Sequence, residues 1–241
     1  MIKIFSNAAA LCREAMEMFI EHAQQNISAK GNFTVALSGG RTPNQLYDML
    51  ALPENASRVD WQNVFVFWGD ERYVDFNDTN NNSFQAKQHL LNHVSIPEVN
   101  IFRIPVNGDY VADAHAYQHI IRSFFKTDLP SFDLLFLGMG EEGHTASVFP
   151  GSPLLHETAS IVKDIYVETK QMQRISFTPP LINAAKEIVF MVTGAEKAPV
   201  LKEVLEGTYN PDLYPAQIVK PVNGNIYWLL DEGAAGMIAG T

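Results

Sequence analysis

Cysteine, basic charge and long apolar runs are all scarce in this chain, and each scarcity removes a class of protein. The single thiol, Cys12, excludes an internal disulfide. It falls on the apolar stripe of the first helical pattern, where a buried thiol in a reducing cytosol is expected. No apolar run approaches the roughly 18 residues of a membrane span. The N-terminus, MIKIFSNAAALCREAMEMF, lacks the basic head and apolar core of an export signal, so a soluble cytoplasmic protein is expected. Lys and Arg number 17 against 27 Asp and Glu, a formal charge of −10. Such a field repels nucleic acid and anionic membranes, and neither is expected as a partner. An anionic ligand must then be held by locally gathered Arg and Lys.

Several chemical signatures are missing too. His89, His93, His115, His119, His144 and His156 are scattered with no HExxH or Cys/His pattern, so no metal site is expected. His115 and His119 share a helix face by spacing, which reads as a solvated surface. There is no Gly-x-Ser-x-Gly elbow for a serine nucleophile, and no Gly-Lys-Ser/Thr to complete a Walker loop. Repeats, low-complexity tracts and long linkers are absent.

What remains is 241 residues, 46% hydrophobic, enough for one sizeable core and a single domain over residues 1–241. From Ala8 to about Gln25, apolar residues recur at Leu11, Cys12, Ala15, Met18 and Phe19, the stripe of an amphipathic helix. Nearly unbroken apolar runs follow at Phe33 to Leu37, Val64 to Trp68, Leu134 to Leu137, Ile188 to Val192 and Ile226 to Leu230. Unbroken rather than alternating hydrophobicity predicts strands covered on both faces, as in a parallel sheet. Helical patterns lie between them at Asn44 to Leu50, Asn81 to Leu91, Asp109 to Phe125 and Ala198 to Leu205, the last closed by Gly207. Pro199 suits a first turn, which starts that helix near Lys197. The alternation predicts a doubly wound α/β fold, Rossmann-like and mostly parallel.

Three of the strands run into chemically loaded corners, which a parallel sheet places on one edge. Ser38-Gly39-Gly40-Arg41-Thr42 offers backbone N–H groups, hydroxyls and a guanidinium before a helix begun by Pro43, a set suited to phosphate. An ordinary turn with Thr42 as N-cap fits as well. Gly69-Asp70-Glu71-Arg72 sets two acids and an arginine after an apolar strand, either to orient a water or base and hold an anion, or as a salt-bridged strand end. The third corner, within LLFLGMGEEGHTASVFPG, presents Glu142 and His144 from a glycine-rich turn, where a base is expected. Gly138, Gly140 and Gly143 also match a dinucleotide fingerprint, but Pro150, Gly151 and Pro153 leave no room for the long helix that such a turn opens.

Taken in order, ALSGGRTP, FWGDERYV, DTNNNSF, LGMGEEGHTASVFPGSP, RISFTPPLINAAKEIVF and VTGAEKAPVLKEVLEG resemble the motifs of the 6-phosphogluconolactonase family from residue 34 to about 232. The resemblance implies hydrolysis of a sugar phosphate δ-lactone, that of 6-phosphogluconate, with no cofactor and no required metal. It makes His144 the general base; a free imidazole titrates near pH ~6.5. Glu142 stands where relatives commonly carry Asp and supports His144, while Asp70 takes an orienting or electrostatic role. Ser38, Gly39, Gly40, Arg41, Thr42, Arg72, Arg174 and Lys197 become the anchors for phosphate and sugar. Two rivals share the implied fold. A glucosamine-6-phosphate deaminase carries an acid just before the proline of the third corner, where this chain has Phe149. A non-catalytic sugar-phosphate sensor needs only the phosphate corner and usually brings a helix-turn-helix, for which this acidic chain has no basic extension.

Overall fold

A computed structural model describes residues 1–239. Among the described residues, nine strands form two sheets. The larger contains β1 (Ile2–Phe5), β2 (Phe33–Leu37), β3 (Val64–Trp68), β5 (Leu134–Leu137), β8 (Glu187–Val192) and β9 (Asn225–Asp231) in the order β1-β9-β8-β5-β2-β3, all parallel. The smaller is antiparallel, β4-β7-β6, from Asp70–Arg72, Met172–Phe177 and Val162–Val167. The α-helices of the described residues are α1 (Ala8–Lys30), α2 (Arg41–Ala51), α3 (Pro53–Ala56), α4 (Asn82–Ala86), α5 (Tyr110–Phe125), α6 (Pro179–Asn183), α7 (Ala198–Glu206) and α8 (Glu232–Ala235).

The expected doubly wound architecture is present. Strand β2 is buried along its whole length and pairs β3 on one side and β5 on the other. Each fully buried Phe or Leu there contributes about 2 kcal/mol by leaving water. The chain winds outward from β2 to β3 and then returns to the far side of β2 as β5. That reversal leaves a crevice at the carboxyl ends of β2 and β5, where ligands bind in open α/β sheets.

The element bounds differ from expectation in several places. Helix α1 runs on to Lys30 and stops at Gly31, whose φ of 83° suits a glycine. Helix α2 begins at Arg41, ahead of Pro43, with Gly40 rather than Thr42 as its N-cap. The pattern from Asn81 to Leu91 splits into α4 and a π-turn over Lys87–Leu91, with Asn81 capping through its side chain. Asp109 likewise caps α5 instead of belonging to it. Gly207 ends α7 with extended backbone, φ −74°. Strands β1, β6 and β7 were not expected, and Asp70–Arg72 forms a strand where a turn was expected. Gly69 makes that change of sheet: its N–H donates to Leu37 O at 3.0 Å, and its carbonyl accepts from Phe177 N at 2.7 Å.

Candidate active site

The three loaded corners converge. A cavity of about 230 Å³ is lined by Ser38 to Pro43, by Gly69, Asp70 and Arg72, and by Gly138 to Gly140 with His144. Arg174 reaches it from β7 and Lys197 from the turn before α7. A neighbouring cavity of about 660 Å³ shares Arg41, Thr42, Gly140, His144 and Lys197, and adds Glu142. Every residue expected of the site therefore borders one or both of these adjoining cavities.

At the first corner Gly40 has a φ of 119°, and no side chain caps α2, leaving its first-turn N–H groups for an anion. Tyr47, buried under the loop, donates its hydroxyl to Ser38 O at 2.6 Å. Thr42 Oγ1 lies 2.9 Å from Thr193 Oγ1, which ties the corner to the end of β8. Gly39 is required by close approach, since a Cβ there would lie 1.7 Å from Asn82 Oδ1. Arg41 is exposed at the cleft mouth.

At the second corner Asp70 is buried, accepting from the Ser147 hydroxyl at 2.6 Å, with Arg174 Nη1 at 3.6 Å. Burial pulls Arg174 below the usual guanidinium value, and Asp70 works against that. Arg72 is steadied by donating to Asn80 O at 2.8 Å. Glu71 points away into protein and caps α4, taking N–H bonds from Asn82 at 2.6 Å and Ser83 at 2.8 Å. Burial of that carboxyl pushes it up to about 7 despite those bonds. Lys197 is lowered by burial, with Glu196 opposing.

At the third corner the loop is held by Gly140 N to His144 O at 3.0 Å and by Thr145 Oγ1 to Gly138 O at 2.9 Å. Gly143 takes φ 79° and Ala146 the left-handed value of 46°. His144 Nδ1 lies 3.2 Å from Glu142 Oε2, which sets the ring beside the carboxylate. The imidazole holds the Glu142 carboxyl well below the usual carboxylate range; burial opposes this, while its own N–H and Lys170 assist. On the ring's face, Phe149 stacks at 3.9 Å and 15°. Phe149 in turn lies 5.4 Å from the Arg174 guanidinium.

Ser38 Oγ, Asn82 Oδ1, His144 Nδ1 and Arg174 Nε are buried without a protein hydrogen-bond partner, and all belong to residues lining the first cavity. Unpaired buried polar atoms are costly, so their clustering marks a place built to receive a polar ligand. Sequence reasoning had not assigned Asn82, Ser147 or Lys170. Asn82 had a signal in the Asn-rich run and Ser147 in the Thr-Ala-Ser sequence after His144, which resembles the lactonase motif; Lys170 had none.

A family model described as glucosamine-6-phosphate isomerases/6-phosphogluconolactonase matches residues 6–228. The chain belongs to this family. Among its members, the 6-phosphogluconolactonase of Synechocystis sp. is 37% identical over 238 residues, covering 97% of this chain and 96% of the relative. The solved 6-phosphogluconolactonase from Trypanosoma cruzi is 27% identical with a TM-score of 0.90, covering 99% of this chain and 96% of its own. A monomeric glucosamine-6-phosphate deaminase shares the family fold at TM-score 0.83 and 19% identity, over 98% of this chain and 99% of its own. Fold alone therefore does not separate the two activities, and the site must.

Proposed function

We propose that this chain hydrolyses 6-phospho-D-glucono-1,5-lactone to 6-phosphogluconate, the lactone-opening step of the oxidative pentose phosphate pathway, in the cytosol. One observation carries the reading. An imidazole backed by a carboxylate faces the same cleft as Arg72, Arg174, Lys197 and the Ser38–Thr42 corner.

A lactone is an activated ester, so one base and a few charged anchors suffice. Water beside the lactone carbonyl gives a proton to His144 as its oxygen attacks the carbonyl carbon. Glu142 stabilises the imidazolium that forms. The tetrahedral adduct then breaks the bond to the ring oxygen, which takes that proton back and leaves the open-chain acid. Arg72, Arg174, Lys197 and the α2 N-terminus hold the phosphate and sugar, supplying locally the positive charge that an overall charge of −10 denies. Asp70, fixed by Ser147, holds Arg174 toward the cleft.

Phe149 favours this reading over deamination. The residue stacked on the imidazole is apolar, where a deaminase needs a second proton carrier. The deciding assay supplies freshly made 6-phosphogluconolactone, with its spontaneous hydrolysis subtracted, beside glucosamine 6-phosphate. Enzymatic acid release without ammonia is expected. Ammonia release would replace the reading with deamination, and binding without turnover would replace it with a sensor.

A further inference from the structure

Glu142 is clamped from two sides. Its Oε2 lies 3.2 Å from His144 Nδ1, and its Oε1 lies 3.1 Å from Lys170 Nζ. Lys170 closes a short 3₁₀ turn, Glu168–Lys170, in the β6–β7 hairpin, and Gln171 takes φ 47° to begin the return strand. The lysine thus reaches the base from the smaller sheet, while the base itself hangs from the larger one. It borders the second cavity together with Glu142 and His144.

Resting on the lactonase reading, we propose that Lys170 is a positioning residue for the base: it steers Glu142 and divides its negative charge, so that His144 stays unprotonated and ready to accept a proton. A glutamate has one more rotatable bond than the aspartate expected at this position, and an unanchored carboxylate would spend time away from the ring. The ion pair with Lys170 restricts that freedom. It also weakens the pull of the carboxylate on the imidazolium, because half of a shared anion attracts less than a whole one.

Other charged groups line the two cavities that the pair and His144 border. Arg174 on β7, Arg72 on β4, Lys197 ahead of α7 and Arg41 at the start of α2 are the further cations. Glu141 in the same loop, Glu196 before Lys197, Asp70 on β4 and Asp231 at the end of β9 are the anions. Among the described residues, Lys170 Nζ and the His144 ring are the basic groups within 4.0 Å of the Glu142 carboxylate. The lysine and glutamate side chains are 44% and 32% exposed, so the pair is screened and its effect is a fraction of a pH unit.

The test follows the His144 ring by NMR titration and the pH dependence of kcat/KM in the same variants. In Lys170→Met the ring's titration midpoint and the acid limb both move up by about half a pH unit. kcat falls severalfold, KM for the lactone is unchanged, and Lys170→Arg restores parent behaviour. In a Glu142→Gln background the lysine substitution moves neither midpoint nor limb. A raised KM with an unmoved midpoint would make Lys170 a substrate contact and overturn the proposal. An equal shift in the Glu142→Gln background would also overturn it, because the lysine would then be acting on the ring directly. If the parent enzyme fails to turn over lactone, the lactonase reading falls, and the NMR titration still decides the Lys170–Glu142–His144 linkage.

Discussion

Two buried acids at opposite ends of the parallel sheet behave differently. Asp133, just ahead of β5, is sealed by Lys30 at 2.7 Å, Lys186 at 2.8 Å, Thr34 N at 2.9 Å and Thr34 Oγ1 at 2.8 Å. Burial alone would raise its carboxyl, but those donors win and hold it below the usual carboxylate range. Asp70, at the carboxyl end, has one short bond to a hydroxyl and a more distant guanidinium, and it opens onto a cleft. The saturated acid ties strands and helix together. The unsaturated one belongs to a rim whose remaining bonds are kept for a ligand.

The sharpest way to break this contrast is to remove the base from the unsaturated end. His144→Ala lowers kcat by about 10²- to 10⁴-fold while the melting temperature stays near that of the parent. Near-parent turnover in that variant would strip His144 of its role. At the other end, Asp133→Ala costs about 2–4 kcal/mol of stability in a denaturant titration, because buried Thr34 donors lose their acceptor, while kcat of the folded enzyme holds. Equal losses of activity and stability there would erase the distinction between the two ends. The smallest effect is on acid tolerance. A carboxyl held low in the folded state contributes stability that is complete above its unfolded value, ~3.9, and fades as the pH falls toward the folded value. Asp133→Asn therefore flattens the stability profile below about pH 4. A parent profile with the same slope would assign the acid response to other carboxylates.

The parallel sheet was the most legible part of the sequence. Phe33–Leu37, Val64–Trp68 and Leu134–Leu137 carry apolar side chains for both covered faces, and the structure starts and ends these strands at the same residues. The smaller sheet was not legible, because Val162–Val167 mixes charged and half-exposed positions and has no clean period of two. The corners could be read because glycines and charges at strand ends are unusual. The partners that brace them could not. Ser147 meets Asp70 across 77 positions of chain, and Phe149, noted for the acid it replaces, gave no hint of stacking on His144. Lys170 reads as an ordinary hairpin lysine until β6 and β7 fold it over the glycine loop.

Ala146 sits between the two ends of that loop, at a φ of 46° that glycine would adopt without steric cost. A methyl group disfavours that φ, so the loop's surrounding contacts, not the residue's own preference, hold the pivot there. His144 stands on one side of it, and on the other Ser147 donates to Asp70 at 2.6 Å. The strain is therefore stored between the base and the Asp70 brace, where relaxing the backbone would cost the loop its contacts.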